Sequence, residues 1–152
     1  MRSASAYDFT DDAKFAILQA RHEALVVGAR EILPSHLALG VLRLLDAAEI
    51  GALFPAPGSR EALYGELGGG PHPAPVIAQD IIYSDGARQA LAGARHSAEA
   101  GHARITPLHV LVGILHPRDF LDRRDVPPSE AADALEHAGL TAARLSELLA
   151  PE

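Results

Sequence analysis

Residues 9–42 read FTDDAKFAILQARHEALVVGAREILPSHLALGVL, and residues 83–115 read YSDGARQALAGARHSAEAGHARITPLHVLVGIL. At an offset of 74, Asp11, Ala13, Ala16, Ala20, Arg21, His22 and Ala24 meet Asp85, Ala87, Ala90, Ala94, Arg95, His96 and Ala98. The second copy then drops one residue. At an offset of 73, Gly28, Ile32, Pro34, His36, Gly40 and Leu42 meet Gly101, Ile105, Pro107, His109, Gly113 and Leu115. Matches of this density in one order mark an internal duplication, so the fold is built from two copies of one unit.

The copies read as helices. Thr10 stands at an N-cap position, with Asp11 and Asp12 in the first turn where the helix dipole favours negative charge. Ala13, Ala16, Ile17, Ala20, Ala24 and Val27 recur at three- and four-residue steps, which predicts a helix over 10–27 with an alanine-rich stripe and a stop at Gly28. Ile32 is a buried anchor, and Leu33-Pro34 opens a second helix, as Thr106-Pro107 does in the second copy with Thr106 as N-cap. The stretches HLALGVLRLL (36–45) and HVLVGIL (109–115) are apolar on nearly every side and belong at the centre of a bundle. Gly40 and Gly113 each cost such a helix about 1 kcal/mol against alanine, so their recurrence points to close helix–helix contact.

A short third helix is expected over 47–54 and a fourth over 59–67. The run GGGPHPAP (68–75) is a connector. Residues 129–138 and 141–149 supply the last two helices, with Gly139 stopping one and Thr141 capping the other. The expected architecture is all-α: eight helices in two pseudo-symmetric sets of four that share one core. One domain is expected over 1–152, with repeat one at about 9–67, a linker at 68–82 and repeat two at about 83–149.

The 152 residues are 48% hydrophobic, and a chain of this size buries about 68–70% of its unfolded surface. The absence of cysteine removes disulfides, thiolate metal sites and thiol nucleophiles. No run approaches the roughly 18–20 apolar residues of a membrane span, and residues 1–8 carry no secretory pattern, so a cytoplasmic location is expected. The net charge is −7, and 13 scattered basic residues are outnumbered by 20 acidic ones, which disfavours nucleic acid. Lys14 is the only lysine, either through codon bias or through avoidance of lysine-directed tagging beside a protease.

The pattern Phe9-Thr10-x-x-Ala13, Gly28, Ile32, His36 and Gly40, repeated as Tyr83-Ser84-x-x-Ala87, Gly101, Ile105, His109 and Gly113, resembles the Clp N-terminal repeat, most closely the ClpC type. The resemblance runs over residues 9–149 and implies the same all-α double-repeat fold. No G-x-x-x-x-G-K-[ST] phosphate loop is present, so a stand-alone N-domain without ATPase modules is expected. ClpC-type domains carry a Glu before each repeat histidine, and that pair holds the guanidinium of phosphoarginine. Here Ser35 and Leu108 stand at those places, and neither pairs with a guanidinium as a carboxylate does, so phosphoarginine binding is not expected.

The eight histidines lack an HExxH or a clustered carboxylate partner, so no metal or other cofactor is expected. His36 and His109 are expected to donate hydrogen bonds that steady the helix starts. Ser35 next to His36 does not make a nucleophile–base pair, and no G-x-S-x-G elbow occurs, so no catalytic residues are assigned. In ClpC-type domains, the first helices of the two copies form a pocket for cyclic peptides. Carried over residue by residue, the resemblance implies a ligand-binding set of Lys14, Ile17 and Leu18 from copy one, with Ile82, Tyr83, Arg88, Leu91 and Ala92 from copy two. Ile17 and Leu91 fit plain core positions equally well. The expected function is a non-catalytic binding protein, an adaptor or modulator of a Clp unfoldase–protease that meets the unfoldase, its substrates or its adaptors. The alternative is a sequestering protein for Clp-directed cyclic-peptide antibiotics.

Overall fold

In the computed structural model, the residues described are 9–44, 59–67, 81–101, 103–119, 121 and 124–149. They form seven helices: α1 (Asp11–Val26), α2 (Pro34–Leu44), α3 (Ser59–Glu66), α4 (Asp85–Ala100), α5 (Pro107–Leu115), α6 (Glu130–His137) and α7 (Ala142–Leu149). The helix expected over 47–54 and the connector over 68–75 lie outside the described residues, so the expected count of eight becomes seven among those described. The all-α class holds. Two short extended pieces, β1 (Glu31–Ile32) and β2 (Ile82–Tyr83), were not expected, and Ile82 lay in the stretch read as linker.

Local chemistry sets the helix ends. The Thr10 hydroxyl accepts from the Ala13 N–H at 3.1 Å, and the Ser84 hydroxyl accepts from Ala87 at 3.0 Å. Each cap satisfies one of the orphan donors of a first helical turn and contributes about 1 kcal/mol. At the far end of α1, Gly28 takes φ 73°, the left-handed conformation that lets the chain turn out of the helix, and Ala29 N–H closes on Ala24 O at 2.9 Å. The sequence equated Gly101 with Gly28, and the backbone corrects this register. Gly101 is the C-cap of α4 at φ −97°, ψ 8°, matching Val27 at φ −91°, ψ 7°. The following bond from Ala103 to Ala98 also keeps the offset of the first helices, so the missing residue falls later in the loop.

The alanine stripe explains the packing. Ala16, Ala20, Ala90 and Ala94 are buried, and α1 lies on α2 as α4 lies on α5. A methyl group on Gly40 would strike the backbone of Ala16 and Ala20, and one on Gly113 would strike Ala90 and Ala94. Glycine is required because the two backbones touch there. α2 and α5 also pack together, so Leu37, Leu39, Leu42, Leu111 and Ile114 join one contiguous buried cluster to which both copies contribute. α6 and α7 cover the far side of α5, burying Leu135 and Leu145.

The copies are also clasped by their backbones. Ile32 pairs with Tyr83 in a parallel register, and Ser84 N–H donates to Ile32 O at 3.0 Å. The reciprocal contact pairs Phe9 with Ile105, and Thr10 N–H donates to Ile105 O at 3.0 Å. Ile32 and Ile105 are both 2% exposed, and each such burial stabilises by about 1.5–3 kcal/mol.

The crossings give a sign test. In a free helix glycine to alanine is favourable, but Gly40→Ala and Gly113→Ala are each expected to lower unfolding free energy by about 1–3 kcal/mol through overpacking. Gly65→Ala, at an exposed position of α3 with open space around it, should raise stability by up to about 1 kcal/mol. Urea unfolding of the three variants measures all three signs.

Candidate functional site

The eight residues implied as ligand-binding lie on α1, β2 and α4. Lys14, Leu18, Ile82 and Arg88 are exposed, with Leu18 at 61% and Ile82 at 65%, while Ile17, Tyr83, Leu91 and Ala92 are half-buried. Tyr83 and Leu91 rest against the core. Burial holds the Tyr83 phenol proton above its usual range, and the Arg21 guanidinium pulls the other way. Tyr83 is therefore within electrostatic reach of Arg21 on α1, a residue that the sequence reading left out of the site. The β1–β2 pairing and this Arg21–Tyr83 proximity bring copy one and the start of α4 to the same junction.

Of the eight, Leu18 also lines a groove of about 560 Å³ with Phe15, Gln19, His22, Arg43 and Leu44. Phe15 is 59% exposed. The second copy fills the matching face with its own chain. Gln89 and Gly93 replace Phe15 and Gln19 there, Arg118 N–H donates to Gln89 O at 3.0 Å, and a methyl on Gly93 would strike His116 O. The signal available in sequence was Phe15 itself, a large apolar residue off the alanine stripe.

Beneath that groove is the buried carboxylate of Glu23, 1% exposed, which accepts from Gln19 Nε2 at 2.8 Å and Arg43 Nε at 3.1 Å. A carboxylate removed from water needs such partners, and deleting one strands the charge. Copy two has Ser97 and His116 at these places, so this ion pair belongs to copy one alone.

A second groove, of about 640 Å³, opens beside Ser35 between α2, α3 and α6. Its floor includes Leu33, Leu67, Ala131 and Ala134, and Glu66, Glu130 and Asp133 stand along it. Leu108, the counterpart of Ser35, is half-buried and packed on the core. Among the described residues, no group of three or more His, Asp or Glu is placed to hold a metal ion, and no helix is long and apolar enough to cross a membrane.

No protein-family model matches the sequence, and no curated protein matches it. Among solved structures, the chain is similar to the crystal structure of the N-terminal domain of the caseinolytic protease-associated chaperone ClpD from Arabidopsis thaliana. The likeness has a TM-score of 0.66 and 19% sequence identity, and covers 96% of this chain and 100% of that chain. The fold is that of a Clp N-terminal domain. Identity this low carries the backbone arrangement and leaves the ligand to be argued from this chain's own side chains.

Within the Clp N-domain fold, the repeat histidines close the starts of the central helices. His36 Nδ1 accepts from Leu33 N–H at 2.9 Å, and His109 Nδ1 accepts from Thr106 N–H at 3.0 Å. The sequence reading expected donors, and these ring nitrogens accept. At Thr106 the exchange is reciprocal, because its hydroxyl takes the His109 N–H at 3.3 Å, a capping box with histidine in the usual Glu or Gln position. Leu33 has no hydroxyl, so copy one has only the histidine half.

Burial lowers the pKa of both histidines, with the Glu23 carboxylate opposing the shift at His36. The unfolded chain therefore binds protons that the folded chain refuses. The stability from these two sites is complete above about pH 6.5 and is lost as pH falls toward the folded values, with a slope of at most about 1.4 kcal/mol per pH unit for each. A His36→Gln/His109→Gln variant, which keeps a capping acceptor, should flatten the slope between roughly pH 5 and 7, as read by urea midpoints.

Proposed function

We propose that this chain is a non-catalytic binding domain of the Clp N-domain type, which acts as an adaptor or modulator of a Clp unfoldase–protease by holding a peptide or protein segment where α1 meets β2. The observation that carries the reading is the likeness to the N-terminal domain of a Clp chaperone over nearly the whole chain. Exposed Leu18 and Ile82, together with the Arg21–Tyr83 junction, support the position. Tyr83 offers a rigid aromatic face with a polar tip, and Lys14 and Arg88 supply donors for peptide carbonyls. The fuller plan of two matched four-helix halves is part of this reading, supported by the shared caps, glycine crossings and histidine bonds.

The test is a titration of linear apolar segments from Clp substrates, and of apolar cyclic peptides, into wild type and variants. Tyr83→Ala is expected to weaken binding by at least ~2 kcal/mol, about thirtyfold in Kd. Tyr83 also rests on the core, so Leu18→Ser is paired with it, because a residue 61% exposed can be changed without disturbing the fold. Equal affinity in wild type and both variants, with equal helicity by circular dichroism, places the ligand elsewhere. Binding of cyclic peptides alone favours sequestration over adaptor work. The same reading expects the purified chain to show no ATP turnover.

A further inference from the structure

The groove beside Ser35 has a chemistry of its own. Leu33, 42% exposed, together with Leu67, Ala131 and Ala134, gives it an apolar floor. Three carboxylates border it: Glu66 at the last turn of α3, and Glu130 and Asp133 in the first turn of α6. No lysine or arginine lines it, and its one histidine, His137, is hydrogen-bonded through Nδ1 to Glu66 at 3.0 Å. Glu130 and Asp133 also suit the positive end of α6, but Glu66 sits at the negative end of α3, where the helix dipole disfavours it. Its place is thus not explained by its own helix.

A further polar group in the groove is unsatisfied. Ser129 holds the N-cap position of α6, yet its hydroxyl makes no capping bond. Its Oγ is buried and has no hydrogen-bond partner among the described residues. A buried hydroxyl normally has a partner, and this one lines the same groove as the three acids.

We propose that this groove binds an arginine side chain, flanked by an apolar residue, from an extended segment of a partner protein. The argument is charge complementarity over an apolar floor. Carboxylates gathered on a concave, low-dielectric surface focus negative potential on one place. A guanidinium offers five donors in a planar fork and pairs with carboxylates two bonds at a time, leaving donors for the Ser129 hydroxyl. Its methylene stem lies along apolar surface while the charged head stays among the acids. Lysine, a compact and strongly hydrated charge, matches the fork geometry less well. The volume, about 640 Å³, suits one long side chain and its neighbour. This site is separate from the α1–β2 junction, and the two stand or fall independently.

The probe is a fluorescein-labelled octapeptide with one arginine between two leucines, followed by anisotropy. The controls are the same peptide with citrulline, the uncharged isostere, or lysine in place of arginine. The arginine peptide is expected to bind, more weakly as salt is raised, with citrulline at least about tenfold weaker and lysine between them. Glu66→Gln and the pair Glu130→Gln/Asp133→Asn should each weaken the arginine peptide about tenfold, while Tyr83→Ala leaves it unchanged. Circular dichroism checks α6 in the paired variant. Glu66→Gln removes a charge its helix end disfavours and serves where the pair fails to fold. Absence of binding, equal binding of the citrulline peptide, or indifference to both sets of substitutions overturns the proposal. So does concentration-dependent dimerisation that Glu66→Gln abolishes, which would make a second copy of the chain the occupant.

Discussion

Two helix pairs touch backbone to backbone, and the remaining features follow from that contact. Gly40 against Ala16 and Ala20, and Gly113 against Ala90 and Ala94, leave no room for even a methyl group. Close approach of α1 to α2, and of α4 to α5, requires small residues on the facing stripe, which is why alanine dominates it. It also frees the remaining faces of α2 and α5 to pack on each other, so one core serves both copies. The larger side chains of α1 are turned outward as a result, and Phe15 and Leu18 stand exposed on the side that α4 covers with its own chain.

The copies have diverged in polar chemistry more than in packing. The central helix of copy two starts with a full reciprocal cap, Thr106 with His109, whereas copy one keeps only the bond to His36 Nδ1. Copy one instead buries Glu23 between Gln19 and Arg43, close enough to His36 to oppose its pKa shift. A carboxylate in that position ties α1 to α2 through an ion pair that the second copy, with Ser97 and His116, does without.

The sequence was most legible where one residue type has one structural meaning. Thr10, Thr106 and Thr141 cap the helices assigned to them, Gly28 and Gly139 take positive φ, and Pro34 and Pro107 open α2 and α5. Gly101 misled because glycine serves at a C-cap as readily as one residue beyond it, and spacing alone does not separate these. β1 and β2 were invisible, since two residues are too few to show alternation and each pairs with a stretch in the other copy. The site was read less well. Leu18 lines a groove, but its neighbours Arg43 and Leu44 come from another helix. The acid-lined groove gathers residues from three helices, two of them outside the aligned repeat, so no local pattern announces it.

The reciprocal clasp also bears on how the chain acquires its structure. Ile32 and Tyr83 are 51 residues apart, Phe9 and Ile105 are 96 apart, and the two closures overlap along the chain. Each closure costs loop entropy before its hydrogen bonds and buried isoleucine offset it, and each holds the other's ends in place. Local helix pairs such as α1 with α2 form early and cheaply, but neither copy completes its own α1 or α4 start alone. The late, non-local closure then sets the folding rate, and the duplicated halves behave as a single cooperative unit.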